Sequence, residues 1–255
     1  MRVRYGRNLV FQRANEFYGD NAATVRGVAI KSIIMLLSAI LSSMLCTSFI
    51  GNYSIGSGGV VIFGFIISTI ITLILSFIMS YNPLAAKTLA IPYSILEGIS
   101  IGTLGGLLKL LLGDVASVLL VLALIITLAF FLGASVLYAT GLVKVTTGFR
   151  KFMFIVLFGV VISSVSISII GIFSPTIYDV FYGLGDLSLI IAVLSVLIAG
   201  GYSLITLDNA SKIVEAGLDK NFEWYAAFGI ILNLIWLFYE VFRLVILIVG
   251  RSNRN

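Results

Sequence analysis

Histidine is absent from this 255-residue chain, cysteine occurs once, and charged residues make up only 11% of the sequence. Without histidine the chain lacks the commonest general base, the commonest transition-metal ligand and the usual haem ligand. The single Cys46 excludes an intramolecular disulfide and a CxxC site. Histidine-dependent catalysis is therefore excluded, and we expect neither an enzyme nor a resident cofactor.

The composition indicates a lipid environment. Apolar residues make up 60% of the chain before its 25 glycines are counted, whereas soluble domains average about 45–50% with glycine included. Because lipid cannot hydrogen-bond bare amides, segments that cross it must be helical, and we predict an all-α integral membrane protein. Seven apolar segments approach or exceed the ~20 residues that cross a bilayer core: 27–50, 60–79, 84–112, 115–138, 152–173, 187–207 and 224–249.

The charge pattern predicts the organisation and the orientation. A basic segment, 1–26, precedes a seven-helix transmembrane domain, 27–249, and a short polar tail, 250–255. The arginines of the first segment are typical of a topogenic sequence rather than of nucleic-acid binding. Eleven Lys and Arg residues fall on one set of connections and span ends, and three fall on the opposite set. The positive-inside rule places the N-terminus in the cytoplasm and the C-terminus outside.

The third apolar segment combines small residues, a proline and an acid. Gly98, Gly102 and Gly106 recur every four residues, which favours close approach of a second helix in lipid. Pro92 removes a backbone donor ahead of Glu97 and predicts a kink beside that carboxylate. Tight helix packing is favoured over a direct role of the glycines in conduction.

Ionisable side chains inside a bilayer cost about 2.5–3.5 kcal/mol each on insertion scales, so they often mark function. Lys31 lies one turn inside the first segment and is predicted to snorkel to the surface as an anchor. Glu97 lies roughly 20 Å of helix from the start of its segment and must be protonated, paired or hydrated. Asp208 follows the sixth segment and either faces a cytoplasmic vestibule or simply ends a helix.

Further polar residues lie in the seventh apolar segment. Asn233 and Glu240 are seven residues apart and share one helix face. Glu240 and Arg243 can pair at i, i+3, either as a gating ion pair or as a neutralising contact. Carboxylate and amide oxygens are the ligands that calcium prefers. The candidate ion-binding or gating residues are thus Asp208, Asn233, Glu97 and Glu240, with Asp208 as the candidate metal ligand.

Two patterns resemble protease motifs. Residues 98–102 match GxSxG, but the chain has no histidine to activate Ser100. Asp179 in a YD pair and Asp186 in a GLGD run resemble the signatures of intramembrane aspartyl proteases, which carry their aspartates on neighbouring transmembrane helices. Here both acids fall in one short connection before the sixth segment. A turn with two solvated acids is therefore favoured over proteolysis.

Four stretches spread over nearly all of the spans carry a family resemblance. They read TVRGVAIKSIIMLL at 24–37, IPYSILEGISIG at 91–102, LITLDNASKI at 204–213 and EWYAAFGIILNLIWLFYEVFRLV at 223–245. Together they resemble the Bax inhibitor-1 family, also called TMBIM, in its bacterial YccA-like branch. The resemblance implies six helices around a central seventh and a pH-sensitive calcium leak.

The resemblance also implies a gate made of two aspartates that share a proton. Asp208 matches the first aspartate, and Asn233 occupies the position of the second. Asparagine offers an oxygen but cannot share a titrating proton, so pH sensitivity should weaken or move to Glu97 or Glu240. Some members also latch a Glu to an Arg of the second helix, but residues 51–86 contain no charged side chain here.

We therefore expect a pH-sensitive calcium or other cation leak channel or exchanger of the bacterial inner membrane, gated near Asp208. Its expected partners are membrane lipid and the transported cation, with no nucleic acid. The alternative is a non-conducting membrane regulator that binds other membrane proteins, such as a protease or a stress-response factor, through lipid-facing small-residue stripes.

Overall fold

The structure, a computed structural model, describes residues 21–50 and 58–252. In that part of the chain eight α-helices and one 3-10 turn, Pro83–Ala85, make up nearly all of the regular structure. The helices are α1 Val25–Ile50, α2 Gly58–Tyr81, α3 Ala86–Leu112, α4 Val115–Ala139, α5 Thr147–Phe173, α6 Pro175–Tyr182, α7 Asp186–Glu215 and α8 Phe222–Ser252. All except α6 are long and apolar enough to cross a membrane, which confirms the all-α integral membrane class.

The seven predicted segments correspond one to one to the seven long helices, but several helices extend further. Helix α7 continues to Glu215, beyond the predicted end at residue 207, because polar residues carry a helix past the lipid-facing stretch. Helix α5 begins at Thr147, where the Thr146 side chain accepts a hydrogen bond from the Phe149 amide at 3.2 Å. The connection predicted as a turn contains the short helix α6.

The chain divides into two compact units. One consists of Met1–Leu110 with Asn209–Ile231, and the other of Leu111–Asp208 with Leu232–Asn255. Two of the boundaries fall inside α7 and α8, so each of these helices contributes residues to both units. Helix α8 has the largest buried share of any span, 56% of its most apolar stretch, and α5 the smallest, 6%.

The predicted close approach at the small-residue stripe is confirmed within the first unit. A Cβ atom on Gly98 would lie 2.1 Å from the backbone oxygen of Ala39, and one on Gly102 would lie 2.4 Å from that of Ser43. The Thr47 hydroxyl also donates to the Gly102 carbonyl at 3.1 Å. Helices α1 and α3 therefore meet backbone to backbone, as small residues permit in lipid.

Helix α3 carries Pro92 in its interior without a break between Ala86 and Leu112. The kink expected beside Glu97 stays a prediction. The arrangement of six helices around a central seventh likewise stays an expectation from the resemblance.

Candidate functional site

Asp208 is held by two side chains from other helices of the second unit. Its Oδ2 atom pairs with Nη2 of Arg150, which lies in the first turn of α5. Its Oδ1 atom accepts a hydrogen bond from the Tyr138 hydroxyl near the end of α4 at 3.4 Å. The side chains of Arg150 and Asp208 remain 29% and 15% exposed. The carboxylate is thus neutralised by an ion pair that solvent still reaches.

Arg150 is the residue of this site that sequence reasoning missed. It counted only as one of the topogenic charges on the predicted cytoplasmic side. The available signal was its place at the start of a span on the same predicted side as Asp208, since an arginine there needs an anionic partner.

Asn233 forms no hydrogen bond with either member of that ion pair. It is buried, and its Nδ2 donates to the Ser203 hydroxyl of α7 at 2.7 Å. Its Oδ1 atom is also buried and has no hydrogen-bond partner within the described part of the chain. The predicted neighbours Asp208 and Asn233 therefore have different partners, and the asparagine keeps one ligand oxygen unused.

The predicted ion pair between Glu240 and Arg243 does not form. The carboxylate of Glu240 accepts a hydrogen bond from Nε1 of Trp236 at 3.2 Å. Arg243 donates to the backbone oxygen of Phe181 at 2.9 Å, and its guanidinium lies 4.5 Å from the centre of the Tyr182 ring. The last carbonyls of α6 lack intrahelical donors and attract a cation, which explains why Arg243 turns to that helix end.

Glu97 lies on α3 in the first unit, where its carboxylate has polar but uncharged neighbours. The hydroxyl groups of Thr72 on α2 and Tyr93 on α3 lie near it. A second contact between the same helices is the hydrogen bond from Ser100 to Ser68, at 2.8 Å. No basic side chain pairs with Glu97 in residues 21–50 and 58–252. Among the described residues, the acid therefore lies beside hydroxyl groups rather than beside a counter-ion.

The Lys31 side chain does not extend into solvent as the favoured snorkelling anchor would. Its side chain is only 13% exposed and forms an ion pair with Glu223, whose side chain is 1% exposed. Glu223 lies one residue before the predicted seventh segment and was not considered as a partner. The lysine turns inward because a buried carboxylate is available beside it.

The two acids of the protease-like patterns lie where solvent reaches them. Asp179 is an exposed residue of α6, and Asp186 is the first residue of α7. The side chain of Asp186 is 86% exposed and pairs with Arg251. In the described residues, no group of three His, Cys, Asp or Glu side chains lies close enough to hold a metal ion. A calcium ion at Asp208 would need backbone, amide or water oxygens as its other ligands.

Seven helices long and apolar enough to cross a membrane define an integral membrane protein, and the acids inside them mark candidate functional positions. The family model described as Bax inhibitor 1 like matches residues 6–250. The chain therefore belongs to the Bax inhibitor 1 like family. No curated protein and no solved structure matches it.

Proposed function

We propose that this protein is a pH-sensitive leak channel or exchanger for calcium or another cation, gated at Asp208. The observation that carries the proposal is the ion pair between Asp208 and Arg150, two side chains on different spanning helices. Because solvent reaches both groups, this pair breaks more easily than a fully buried one. Breaking it releases a carboxylate that a hard cation can bind.

A second support is the unused oxygen of Asn233. A buried amide oxygen without a donor is costly to desolvate, and a water molecule or a cation would satisfy it. Asparagine carries no proton to share, so this position supplies no second acid beside Asp208. The pH dependence of the leak should therefore be less steep than that of a gate made of two acids.

The proposed location is a bacterial inner membrane, with the N-terminus in the cytoplasm. Within the first unit, residues just before α1 pair with the connection between α7 and α8. The charge pattern assigns both of these segments to one side, the cytoplasmic one, and their contact agrees with their lying on the same side.

Calcium entry into dye-loaded proteoliposomes between pH 5 and 8 tests the proposal. We compare wild type with Asp208→Ala and Asn233→Asp, and use Asp186→Ala as the control because that acid is exposed. The wild type should leak, Asp208→Ala should change the leak several-fold, and Asp186→Ala should leave it unchanged. Asn233→Asp should steepen the pH dependence by supplying a second titrating acid. A wild type that passes no cation would overturn the proposal.

A non-conducting regulator that binds other membrane proteins is the second candidate. Helix α5 favours it, because only 6% of its most apolar stretch is buried within the protein. A Cβ atom added at Gly159 on this helix would meet no atom within 4 Å, so this glycine leaves room for a partner helix. The regulator hypothesis is supported if the protein conducts no cation and a membrane protein co-purifies with it in a fixed ratio. Gly159→Leu should then abolish that co-purification.

A further inference from the structure

A short strap joins the start of the described chain to the connection between α7 and α8. The strap consists of residues 21–24, immediately before α1. Ala22 and Asp219 form an isolated antiparallel bridge. The Ala23 amide donates to the carbonyl of residue 218 at 2.7 Å, and the amide of residue 220 donates back to the carbonyl of residue 21 at 2.9 Å. Segments almost 200 residues apart in sequence are thereby tied together.

The strap is fastened by the buried carboxylate of Glu223 in the first turn of α8. The backbone amide of Thr24 donates to Oε1 of Glu223 at 2.9 Å, and the Thr24 hydroxyl donates to the same oxygen at 3.0 Å. Nζ of Lys31 pairs with the other oxygen, Oε2, and lies 5.4 Å from the centre of the Trp224 ring. Both carboxylate oxygens are therefore occupied by groups from the strap and from α1.

Gly27 provides the space in which this carboxylate lies. A Cβ atom on Gly27 would lie 2.1 to 2.2 Å from the three carboxyl atoms of Glu223. Any larger residue would displace the carboxylate from its donors. The contact thus depends on a glycine on α1, a lysine one turn further along α1 and a glutamate on α8.

Such an arrangement fixes a geometry besides contributing to stability. Buried ion pairs often contribute no more than apolar residues of similar volume would, while they fix one geometry against alternatives. The geometry fixed here is that of the connection between α7 and α8. Helix α7 carries Asp208, and α8 carries Asn233 and Glu240. Any tilt or shift of one helix against the other must move the connection that the strap holds.

We propose that the strap, Lys31 and Glu223 form a lock that restrains the connection between α7 and α8 and so limits the leak. This inference rests on the proposed channel function. Fastening the lock permanently should lower the leak, and loosening it should raise the leak. The two arms of the test below make these two changes separately.

The first arm fastens the lock with a disulfide. Ala22 and Asp219 form a non-hydrogen-bonded antiparallel pair, for which Cα atoms lie about 4.5 Å apart, within the range that a disulfide spans. We introduce Ala22→Cys and Asp219→Cys together with Cys46→Ser, which removes the only native thiol. Oxidation should lower the leak several-fold, and reduction should restore it. Ala22→Cys with Cys46→Ser, which has no second thiol, should not respond.

The second arm loosens the lock by steric displacement. Gly27→Ala pushes the Glu223 carboxylate away from its donors without removing any charge. The matched control is Gly59→Ala near the start of α2, where an added Cβ atom meets nothing within 4 Å. Only Gly27→Ala should speed hydrogen exchange of the Ala23 amide, and only Gly27→Ala should raise the leak several-fold.

The outcomes separate the lock from the channel. If the wild type conducts and Gly27→Ala speeds exchange at Ala23 without changing the leak, the lock is overturned and the channel stands. If the cysteine pair at 22 and 219 does not cross-link, or if its cross-link leaves the leak unchanged, the lock is likewise overturned. If the wild type conducts nothing, the channel proposal fails and the lock's role in the leak fails with it.

Discussion

Two ion pairs in this protein use the same chemistry in different surroundings. In the first unit, Lys31 and Glu223 are 13% and 1% exposed, and Thr24 supplies two further donors to the carboxylate. In the second unit, Arg150 and Asp208 are 29% and 15% exposed, and the hydrogen bond from Tyr138 to Asp208 is long, at 3.4 Å. The first pair is enclosed and fully hydrogen-bonded, whereas solvent reaches the second.

This difference separates a contact that fixes structure from one that can switch. An enclosed carboxylate cannot lose its partner without becoming a buried, unpaired charge. A partly exposed carboxylate that loses its partner can be hydrated or can bind a cation instead. Breaking the first pair should therefore lower stability most, and raise the leak only through the lock, whereas breaking the second should change ion flux at little cost in stability.

The largest loss of stability is expected from Lys31→Met. This change leaves the Glu223 carboxylate buried without its counter-ion, a defect that costs about 3–5 kcal/mol. The thermal unfolding midpoint in detergent should fall on the order of 10 °C. The double variant Lys31→Met with Glu223→Gln removes both charges and should recover much of that loss, because no unpaired charge remains. A double variant no more stable than Lys31→Met would show that the buried charge is not the cause.

Arg150→Gln should affect flux more than stability. The pair it breaks is partly exposed, so the expected loss is about 1 kcal/mol, or a few degrees in the unfolding midpoint. Because Asp208 is then released, the calcium leak at neutral pH should rise several-fold. Arg150→Lys should lie between wild type and Arg150→Gln, since lysine keeps the charge but loses the planar fork.

The adjacent basic residue provides the matched control for Arg150. Lys151 is exposed and forms no ion pair with the described residues. Lys151→Gln removes the same charge from the next position, so it should leave both the leak and the unfolding midpoint unchanged. If Lys151→Gln changed the leak as much as Arg150→Gln does, the change would come from lost surface charge and not from the lost contact with Asp208.

The sequence predicted the parts of the fold that depend on local composition. Seven helices follow from apolar length, and close approach of another helix to α3 follows from glycines four residues apart, although the sequence does not identify that helix as α1. The partners of the charged residues depend instead on tertiary structure. Lys31 and its partner Glu223 are 192 residues apart in sequence. Arg243 has an acid one turn away on its own helix, yet it contacts Phe181.

Candidate site residues were therefore easier to predict than their contacts. The cost of an ionisable group in lipid singles out Glu97 and Asp208 from the sequence alone. Nothing local indicates that Glu97 lies near the hydroxyl groups of Thr72 and Tyr93 or that an arginine of α5 pairs with Asp208. An acid in the first turn of a helix, such as Glu223, also fits the helix dipole and so suggests no special role.

The smallest effect is expected at another ion pair, the one between Arg251 and Asp186. Its carboxylate is 86% exposed, so the pair contributes about 0–1 kcal/mol and is weakened by salt. Arg251→Ala should leave the unfolding midpoint within a degree or two of wild type and the leak unchanged. Thermal unfolding at low and high salt, beside the flux assay, measures both. If Arg251→Ala altered the leak as much as Arg150→Gln does, the exposed fraction of an ion pair would not predict whether breaking the pair changes ion flux. The comparison between the two more buried pairs would then lose its physical basis.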